Sequence, residues 1–162
     1  MKKIIIIGCP GSGKSTFAQK LQKSLSLPLY HLDMIWHKPD KTTVTKEEFD
    51  ARLDEIISDE EWIIDGNYKR TLEKRISACD TVILFDLPTF VCISGAKERI
   101  GKKRVDMPWV EEELDPEFKA WIEGFRNEQL PEIYRLLEKY NDKRIVIFKS
   151  REEADLFIAG DV

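Results

Sequence analysis

Residues 8–15 read Gly8-Cys9-Pro10-Gly11-Ser12-Gly13-Lys14-Ser15 and match the Walker A pattern G-x-x-x-x-G-K-[ST]. The glycines let the backbone wrap closely, so that its N–H groups turn inward on an anion. Lys14 then reaches the β- and γ-phosphates of a nucleoside triphosphate, and the Ser15 hydroxyl can bind Mg²⁺. We therefore predict a nucleotide site at Gly8, Pro10, Gly11, Ser12, Gly13, Lys14, Ser15 and Thr16.

The sequence on either side of this loop has the context that the motif requires. The run Ile4-Ile5-Ile6-Ile7 before it is typical of a buried parallel strand. After it, Phe17, Ala18 and Leu21 follow helical spacing in a predicted helix over residues 15–26. Such a helix directs its positive N-terminal end at bound phosphate. The alternative, a glycine-rich turn without a ligand, is disfavoured because strand, loop and helix follow in the required order.

Composition and charge argue against several other classes of protein. The chain has 162 residues, 42% of them hydrophobic, which suits a single globular domain over residues 1–162. Its net charge of −4 does not favour direct binding to duplex DNA. The three cysteines and two histidines show no zinc or disulfide pattern, so a reducing cytoplasm fits best. The N-terminal apolar run is too short for a membrane span or a signal peptide.

Three predicted strands end in a carboxylate, at Asp33, Asp65 and Asp86. Ligands of open α/β sheets lie outside the carboxyl ends of the strands, so Asp33 is predicted to face the site rather than only to turn the chain. His31, two residues before it on the same predicted strand, is interpreted as structural. Asp65 has the form of a Walker B carboxylate that orders Mg²⁺, and Gly66 lets the backbone turn close to a ligand. Asp86 competes for the same role, and sequence spacing leaves the choice open.

Two basic segments are candidates for binding anions. Arg70 lies on a predicted helix over residues 69–78 and either clamps a substrate anion or belongs to a solvated face. Five of the eight residues from Lys97 to Arg104 are basic, and this reversal of charge in an acidic chain predicts a lid over about residues 99–115. The lid would bring Arg99 and Arg104 to the phosphates. The alternative is an exposed basic helix end, favoured by the helix dipole.

Capping and proline signals predict the remaining elements. Thr45 with Glu48 forms a capping box that starts a helix over residues 46–58. Asp115-Pro116 starts another helix, which Pro131 should kink or interrupt. A fifth strand follows over residues 144–148, and Arg151 after it either stacks on the nucleotide base or lies on the surface. Strands and helices alternate throughout, which predicts a parallel sheet with helices on both faces.

The chain resembles the nucleoside-monophosphate-kinase-like P-loop proteins, of which adenylate kinase and shikimate kinase are the best known. The resemblance rests on Gly8–Ser15, Asp65-Gly66, Arg99–Arg104 and the turn after the fifth strand, in that order. It implies a three-layer α/β/α fold with a five-stranded parallel sheet in the order 2-3-1-4-5 and a short lid. That order places the strand of Asp65 beside the strand of the Walker loop, which favours Asp65 as the Walker B carboxylate.

A closer resemblance is to the bacterial topology modulation proteins, also called FlaR-like proteins. It rests on His31-Leu32-Asp33, Trp62-Ile63-Ile64-Asp65-Gly66-Asn67-Tyr68, Arg104-Val105-Asp106-Met107 and Lys149-Ser150-Arg151. One departure from adenylate kinases concerns the acceptor. Asn67-Tyr68-Lys69 stands where those enzymes carry a Phe-Pro-Arg segment that helps to hold AMP, so the resemblance does not extend to an AMP acceptor.

The motifs and the resemblance together predict an ATP- and Mg²⁺-dependent phosphotransferase that acts on a small acceptor. Lys14 would hold the phosphates, and Ser15 and Asp65 would bind Mg²⁺. Asp33 would orient the acceptor hydroxyl or accept its proton, and Arg99 and Arg104 would close over the phosphates. The predicted acceptor-binding residues are Asp33, Asp65, Gly66 and Arg70, and Arg151 is predicted on the nucleotide side. The alternative is a nucleotide-binding regulator that modulates DNA topology directly or through a partner.

Overall fold

The computed structural model describes residues 1–160, so the last two residues of the predicted domain lie outside the described part. Its five strands form a single parallel sheet in the order β2-β3-β1-β4-β5, which is the predicted order. The strands are β1 Lys3–Gly8, β2 Leu29–His31, β3 Trp62–Asp65, β4 Thr81–Phe85 and β5 Arg144–Phe148.

Helices connect these strands and complete the three-layer α/β/α architecture. They are α1 Lys14–Leu25, α2 Leu32–Trp36, α3 Lys46–Ile57, α4 Lys69–Ala78, α5 Thr89–Glu98, α6 Pro116–Glu128, α7 Leu130–Lys139 and α8 Arg151–Ala159. The segment 99–115, where a lid is predicted, contains neither helix nor strand. None of the helices within residues 1–160 is long and apolar enough to cross a membrane.

The core is built around β1, the central strand of the sheet. Ile4 to Ile7 are completely buried, and every residue of β3 and β4 on either side is buried as well. A central parallel strand is covered on both faces, which is why its sequence is continuously apolar instead of alternating. The edge strands β2 and β5 are only partly buried.

The predicted starts and breaks of three helices are confirmed. The Thr45 hydroxyl accepts a hydrogen bond from the Glu48 amide at 3.1 Å at the start of α3. The Asp115 carboxylate accepts from the Glu117 amide at 2.9 Å at the start of α6. Pro131 lies in the first turn of α7, and the helix is interrupted between Glu128, where α6 ends, and Leu130, where α7 begins. A proline lacks the amide hydrogen that a continuous helix would need there.

The prediction that the second strand reaches Asp33 is wrong. β2 ends at His31, and Asp33 lies in the first turn of the short helix α2. The reason is the length of the neighbouring strand. His31 pairs with Asp65, the last residue of β3, so an extended chain beyond His31 would have no further strand to pair with. His31 and Asp33 are therefore positioned by different elements.

Candidate functional site

A cleft of about 1550 Å³ opens at the carboxyl ends of the strands, where open α/β sheets bind ligands. The Walker loop and the start of α1 form one part of its lining, and α2, the turn after β3, the lid and the start of α8 form the rest. The predicted site residues that line it are Pro10, Gly11, Gly13, Lys14, Ser15, Thr16, Asp33, Asp65, Gly66, Arg99, Arg104 and Arg151.

The Walker loop has a backbone shape that side chains on its glycines would prevent. Gly11 has a φ of +83°, and a Cβ built on it would lie 2.0 Å from the Cys92 carbonyl oxygen. Gly13 has a φ of +102° and directly precedes α1. Lys14 extends back over the loop, and its Nζ donates a hydrogen bond to the Cys9 carbonyl at 3.1 Å. Burial lowers the pKa of Lys14, although the charges of nearby carboxylates oppose this.

Asn67 holds the beginning of the Walker loop from the neighbouring strand connection. Its Oδ1 accepts a hydrogen bond from the Gly8 amide at 3.0 Å, and its Nδ2 donates to the Gly8 carbonyl at 2.8 Å. The side-chain amide thus satisfies both backbone groups of Gly8 as another strand would. It couples the position of the loop to the turn after β3.

Arg75 holds the turn after β3 in place. It is fully buried and donates to the carbonyls of Gly66 at 2.9 Å and Tyr68 at 3.1 Å, and to that of Asn67. Burial lowers the pKa of this guanidinium to about 9. Tyr68 has a left-handed backbone with a φ of +38°, so the turn adopts a strained conformation that these hydrogen bonds stabilise.

Two carboxylates converge on the serine of the Walker loop. The Ser15 Oγ lies 2.9 Å from Asp65 Oδ2 and 2.9 Å from Asp106 Oδ2. His31 Nδ1 lies 2.7 Å from the same Asp65 oxygen. Burial alone lowers the pKa of His31, but the hydrogen bond to Asp65 and the surrounding carboxylate charges raise it above its usual value. Since Ser15 contacts Asp65, Asp65 is the one of the two Walker B candidates that lies beside the Walker serine.

Asp86, the other candidate, belongs to a different network. It is buried at the end of β4, where Tyr134 donates a hydrogen bond at 2.5 Å and Lys149 forms an ion pair at 2.5 Å. Arg126 lies 3.1 Å from its second oxygen. Burial raises the pKa of Asp86, but Lys149 and Tyr134 together hold it below its usual value. Asp86 does not line the cleft and instead ties α6, α7 and β5 together.

The lid brings both predicted arginines to the cleft. Arg104 Nε lies 3.0 Å from Asp106 Oδ1, and its Nη1 lies 3.4 Å from Glu111. Arg99 is largely enclosed, and its Nε has no hydrogen-bond partner within the described residues. Burial and the neighbouring Arg104 charge lower the pKa of Arg99. A cation that is enclosed and unpaired in a cleft favours an anionic ligand.

Asp33 lines a more aromatic part of the same cleft. The Tyr68 hydroxyl donates a hydrogen bond to Asp33 Oδ1 at 2.5 Å. Partial burial of this carboxylate raises its pKa, even though the hydrogen bond from Tyr68 opposes the shift. His37 and Trp109 stack edge to face nearby, with ring centroids 5.1 Å apart. Both of these side chains also line the cleft.

Two predicted residues have partners that the sequence does not indicate. Arg151 donates to the Gly11 carbonyl at 2.8 Å and to the Ser12 carbonyl at 3.4 Å, so it braces the Walker loop from α8. Arg70 forms a two-pronged pair with Asp50 of α3, at 3.0 and 2.8 Å, and does not line the main cleft.

Sequence reasoning assigned no role to Asn67, Arg75 or Asp106. Asn67 and Asp106 fall within segments that support the closer family resemblance, but nothing in the spacing of either residue indicates a partner. Arg75 reads as one of several cations on an amphipathic helix, yet it is the one that points inward. Only the fold reveals that these side chains meet the Walker loop or the turn beside it.

The oxygens around Ser15 have donor chemistry that could hold Mg²⁺. Hydroxyl and carboxylate oxygens such as those of Ser15 and Asp65 are the ligands that this hard cation prefers. Asp65 Oδ1 is buried and has no hydrogen-bond partner within the described residues, which leaves an acceptor free for a cation. Residues 1–160 hold no group of three or more His, Cys, Asp or Glu arranged for a metal, so phosphate or water would have to supply further ligands.

A family model described as "Chromatin associated protein KTI12" matches residues 1–87, which is more than half of the 162-residue chain. The chain belongs to the KTI12 family. The part shared with the KTI12 model contains the Walker loop, Asp33 and Asp65. It ends before the lid and α8, so Arg99, Arg104 and Arg151 lie beyond the matched region.

Solved kinase structures share the fold of this KTI12-family chain. Shikimate kinase from Aquifex aeolicus matches with a TM-score of 0.57 and 21% identity, over 97% of this chain and 92% of that one. Shikimate kinase from Bacteroides thetaiotaomicron matches with a TM-score of 0.56 and 16% identity, over 97% of this chain and 94% of that one. A gluconokinase from Sinorhizobium meliloti matches with a TM-score of 0.57 and 14% identity, over 98% of this chain and 87% of that one. No curated protein matches the sequence significantly.

These similarities confirm the predicted resemblance to P-loop kinases at the level of the fold. The closer resemblance, to topology modulation proteins, stays a prediction.

Proposed function

We propose that this KTI12-family chain is an ATP-dependent phosphotransferase that acts on a hydroxyl group of a small molecule. The observation that carries the proposal is the single cleft that joins the Walker loop, the lid arginines and the Asp33 carboxylate. Phosphoryl transfer needs these three parts together: a holder for the triphosphate, positive charge over the transferred group, and a group that positions the acceptor.

The donor half of the cleft suits a triphosphate. Lys14 and the inward-turned amides of the Walker loop would hold the β- and γ-phosphates, with the N-terminus of α1 beneath them. The positive charge of Arg99 would stabilise the negative charge of the transferred phosphoryl group, since its guanidinium is enclosed and incompletely paired. Arg151 supports this half indirectly, because it holds the Gly11 and Ser12 carbonyls.

Ser15 and Asp65 would hold Mg²⁺, with the phosphates completing its coordination. When bound, this ion would neutralise phosphate charge and orient the triphosphate. His31 would keep the Asp65 carboxylate oriented through the 2.7 Å contact to Oδ2. The free Oδ1 of Asp65 supports this assignment over Asp86, whose oxygens face Lys149 and Arg126.

The acceptor half would be organised by Asp33. Its raised pKa makes the carboxylate a better proton acceptor near neutral pH than an ordinary aspartate. The Tyr68 hydroxyl fixes the orientation of one oxygen and leaves the other available to an acceptor hydroxyl. Aromatic groups around it, His37 and Trp109, favour an acceptor with an apolar or ring-shaped face.

The test is an acceptor screen that measures ADP release from ATP with Mg²⁺, using nucleosides, nucleotides, polyols and other small metabolites. We expect at least one acceptor to raise ADP release well above background. Lys14→Ala should abolish this increase while circular dichroism shows an intact fold, because Lys14 would contact phosphate and its Nζ donates a hydrogen bond to the Cys9 carbonyl of the loop. Lys23→Ala, which changes an exposed lysine of the same helix, is the matched control and should keep full activity.

An active Lys14→Ala variant would refute the phosphotransferase proposal. A screen in which no acceptor raises ADP release above background would move support to a second candidate.

That second candidate is a nucleotide-dependent regulator that acts on nucleic acid. It is favoured by the family description, which names a chromatin-associated protein, and by the resemblance to topology modulation proteins. Lys102 and Lys103, exposed on the lid, could meet a phosphate backbone. Binding to duplex DNA measured over a salt series would decide, because contacts with phosphates give a steep loss of affinity as salt increases.

The three cysteines support a reducing compartment such as the cytoplasm for either candidate. Cys9, Cys79 and Cys92 are all free and buried. A chain that folds in an oxidising compartment more often pairs such residues in disulfides.

A further inference from the structure

The lid contributes a buried carboxylate to the Walker serine. Asp106 lies 91 positions from Ser15 in the chain, yet its Oδ2 is 2.9 Å from the Ser15 Oγ. Only 6% of Asp106 is exposed, so the lid in this structure is closed onto the loop. Arg104 holds the other oxygen of Asp106 at 3.0 Å and thereby fixes the orientation of the carboxylate.

Ser15 alone cannot serve both carboxylates that contact it. The Ser15 hydroxyl has one proton, but it has two carboxylate oxygens at 2.9 Å, from Asp65 and Asp106. At most one of these contacts is a hydrogen bond, and the other brings two oxygens together with nothing between them. His31 at 2.7 Å from Asp65 Oδ2 and Arg104 at 3.4 Å from Asp106 Oδ2 complete the contacts of the carboxylates, so that one buried oxygen, Asp65 Oδ1, has no donor within the described residues. A buried carboxylate oxygen without a partner is stabilised by a cation.

The spacing of these oxygens suits a small divalent ion. Mg²⁺ binds oxygen at about 2.0–2.1 Å in an octahedron, so adjacent ligand oxygens lie about 2.9 Å apart. Both distances from Ser15 Oγ have this value. His31 and Arg104 each contact one carboxylate from outside the cluster, as groups that orient metal ligands do.

We propose that Asp106 is a lid-borne metal ligand, and that Ser15, Asp65 and Asp106 together form a divalent-cation site that closes the lid before nucleotide binds. The inference rests on the proposed function in so far as it takes Ser15 and Asp65 as metal-binding residues. It adds a ligand from outside the region matched by the family model. Two carboxylates give a cation affinity in the absence of nucleotide, and the cation in turn links the lid to the Walker loop.

The lid itself supplies a way to observe closure. Lys102 and Lys103 are exposed sites for trypsin within the segment that closes. When a cation joins Asp106 to Ser15, local opening of the lid becomes rarer, and trypsin cleaves only the opened form. The rate of cleavage therefore reports lid closure without any catalytic turnover.

The experiment uses the full chain without nucleotide or acceptor. Mn²⁺ is the probe, with binding measured by electron paramagnetic resonance and lid cleavage by timed trypsin digestion. We expect the wild type to bind Mn²⁺ and to be cleaved several-fold more slowly at Lys102 and Lys103 when Mn²⁺ is present. Asp106→Asn should weaken Mn²⁺ binding by roughly tenfold or more and abolish the protection, because an amide is a poorer ligand than a carboxylate.

Glu113→Gln is the matched control, since it removes the same charge from an exposed position of the same lid. It should bind Mn²⁺ and protect the lid as the wild type does. Thermal unfolding establishes that Asp106→Asn is folded, and Asp106→Ser provides a second variant if it is not. Both variants retain the trypsin sites.

Three results would overturn the inference: no Mn²⁺ binding by the nucleotide-free wild type, equal Mn²⁺ binding by Asp106→Asn, or equal protection of its lid. None of these results removes acceptor-dependent ADP release from the wild type, so the proposed function would survive them. Conversely, Mn²⁺ binding that depends on Asp106, in a chain for which no acceptor raises ADP release, would support the metal site and move support from the phosphotransferase to the second candidate.

Discussion

Replacing Asn67 should loosen the Walker loop without touching any residue of the loop itself. The Asn67 amide satisfies both backbone groups of Gly8, at 3.0 and 2.8 Å. Gly8 is buried at the end of β1, beside β4, so water reaches its backbone groups only from the side of the cleft that Asn67 lines. Asn67→Ala removes both hydrogen bonds and leaves one donor and one acceptor unpaired.

The expected loss of stability follows from these two contacts. A neutral hydrogen bond contributes about 1 kcal/mol net, and a buried polar group left unpaired costs about 1–3 kcal/mol. Asn67→Ala should therefore lower the free energy of unfolding by about 2–4 kcal/mol. Asn67→Asp should lose at least as much, because its second oxygen would face the Gly8 carbonyl oxygen across the present 2.8 Å contact. It also adds a negative charge beside a loop that is proposed to bind phosphate.

Urea unfolding measures the stability of these variants, and calorimetric titration measures their affinity for ATP, which reports on the Walker loop. We expect ATP affinity to fall roughly tenfold for Asn67→Ala, which corresponds to about 1.4 kcal/mol, and further for Asn67→Asp. Asn127→Ala, at an exposed position of α6, is the control and should change stability by less than about 0.5 kcal/mol. An Asn67→Ala variant as stable as this control, with the ATP affinity of the wild type, would refute the assigned role.

Two further predictions concern charged residues. Arg99→Ala should reduce acceptor-dependent ADP release by roughly 10²- to 10³-fold, whereas Arg70→Ala should keep nearly full activity because Arg70 pairs with Asp50 outside the cleft; equal losses in steady-state assays would contradict the placement of both. Asp86→Asn should lower the free energy of unfolding at pH 7 by about 1–3 kcal/mol, towards the low end because Lys149 is 60% exposed. Lys149 and Tyr134 outweigh burial and hold the pKa of Asp86 below its unfolded value, so this contribution is present above about pH 4 and disappears as pH falls through the folded pKa. A stability difference from the wild type that stays constant from pH 7 to pH 3 in urea titrations would contradict this explanation.

Most of the fold follows from local patterns in the chain. The isoleucine run of β1 predicts a strand buried on both faces, and the Thr45 and Asp115 caps predict helix starts because a cap depends only on its next few residues. The error at Asp33 has a tertiary cause. The end of β2 depends on where β3 ends, and a local pattern holds no information about the length of a neighbouring strand.

Some residues of the candidate site are also predicted by local sequence patterns, whereas others come together only through the fold. Lys14 and Ser15 are recognisable in the sequence because the chemistry of a phosphate loop requires a contiguous spacing of residues. The contact between Ser15 and Asp65 requires β3 to lie beside β1, and Asp106 reaches Ser15 only because the lid folds back over the loop. Arg151 is predicted either to stack on a nucleotide base or to lie on the surface, whereas the position of α8 places it on the carbonyls of the Walker loop.

Local sequence patterns predict a Walker loop between a buried strand and a helix, and they predict that strands and helices alternate. These features arise from interactions between residues close in the chain, which periodicity and turn chemistry record directly. The carboxylates around Ser15 and the side chains that contact Gly8 and Gly11 are brought there by the packing of distant elements. Those contacts join residues 50 to 140 positions apart, and their partners are selected by sheet order and packing rather than by spacing in the chain.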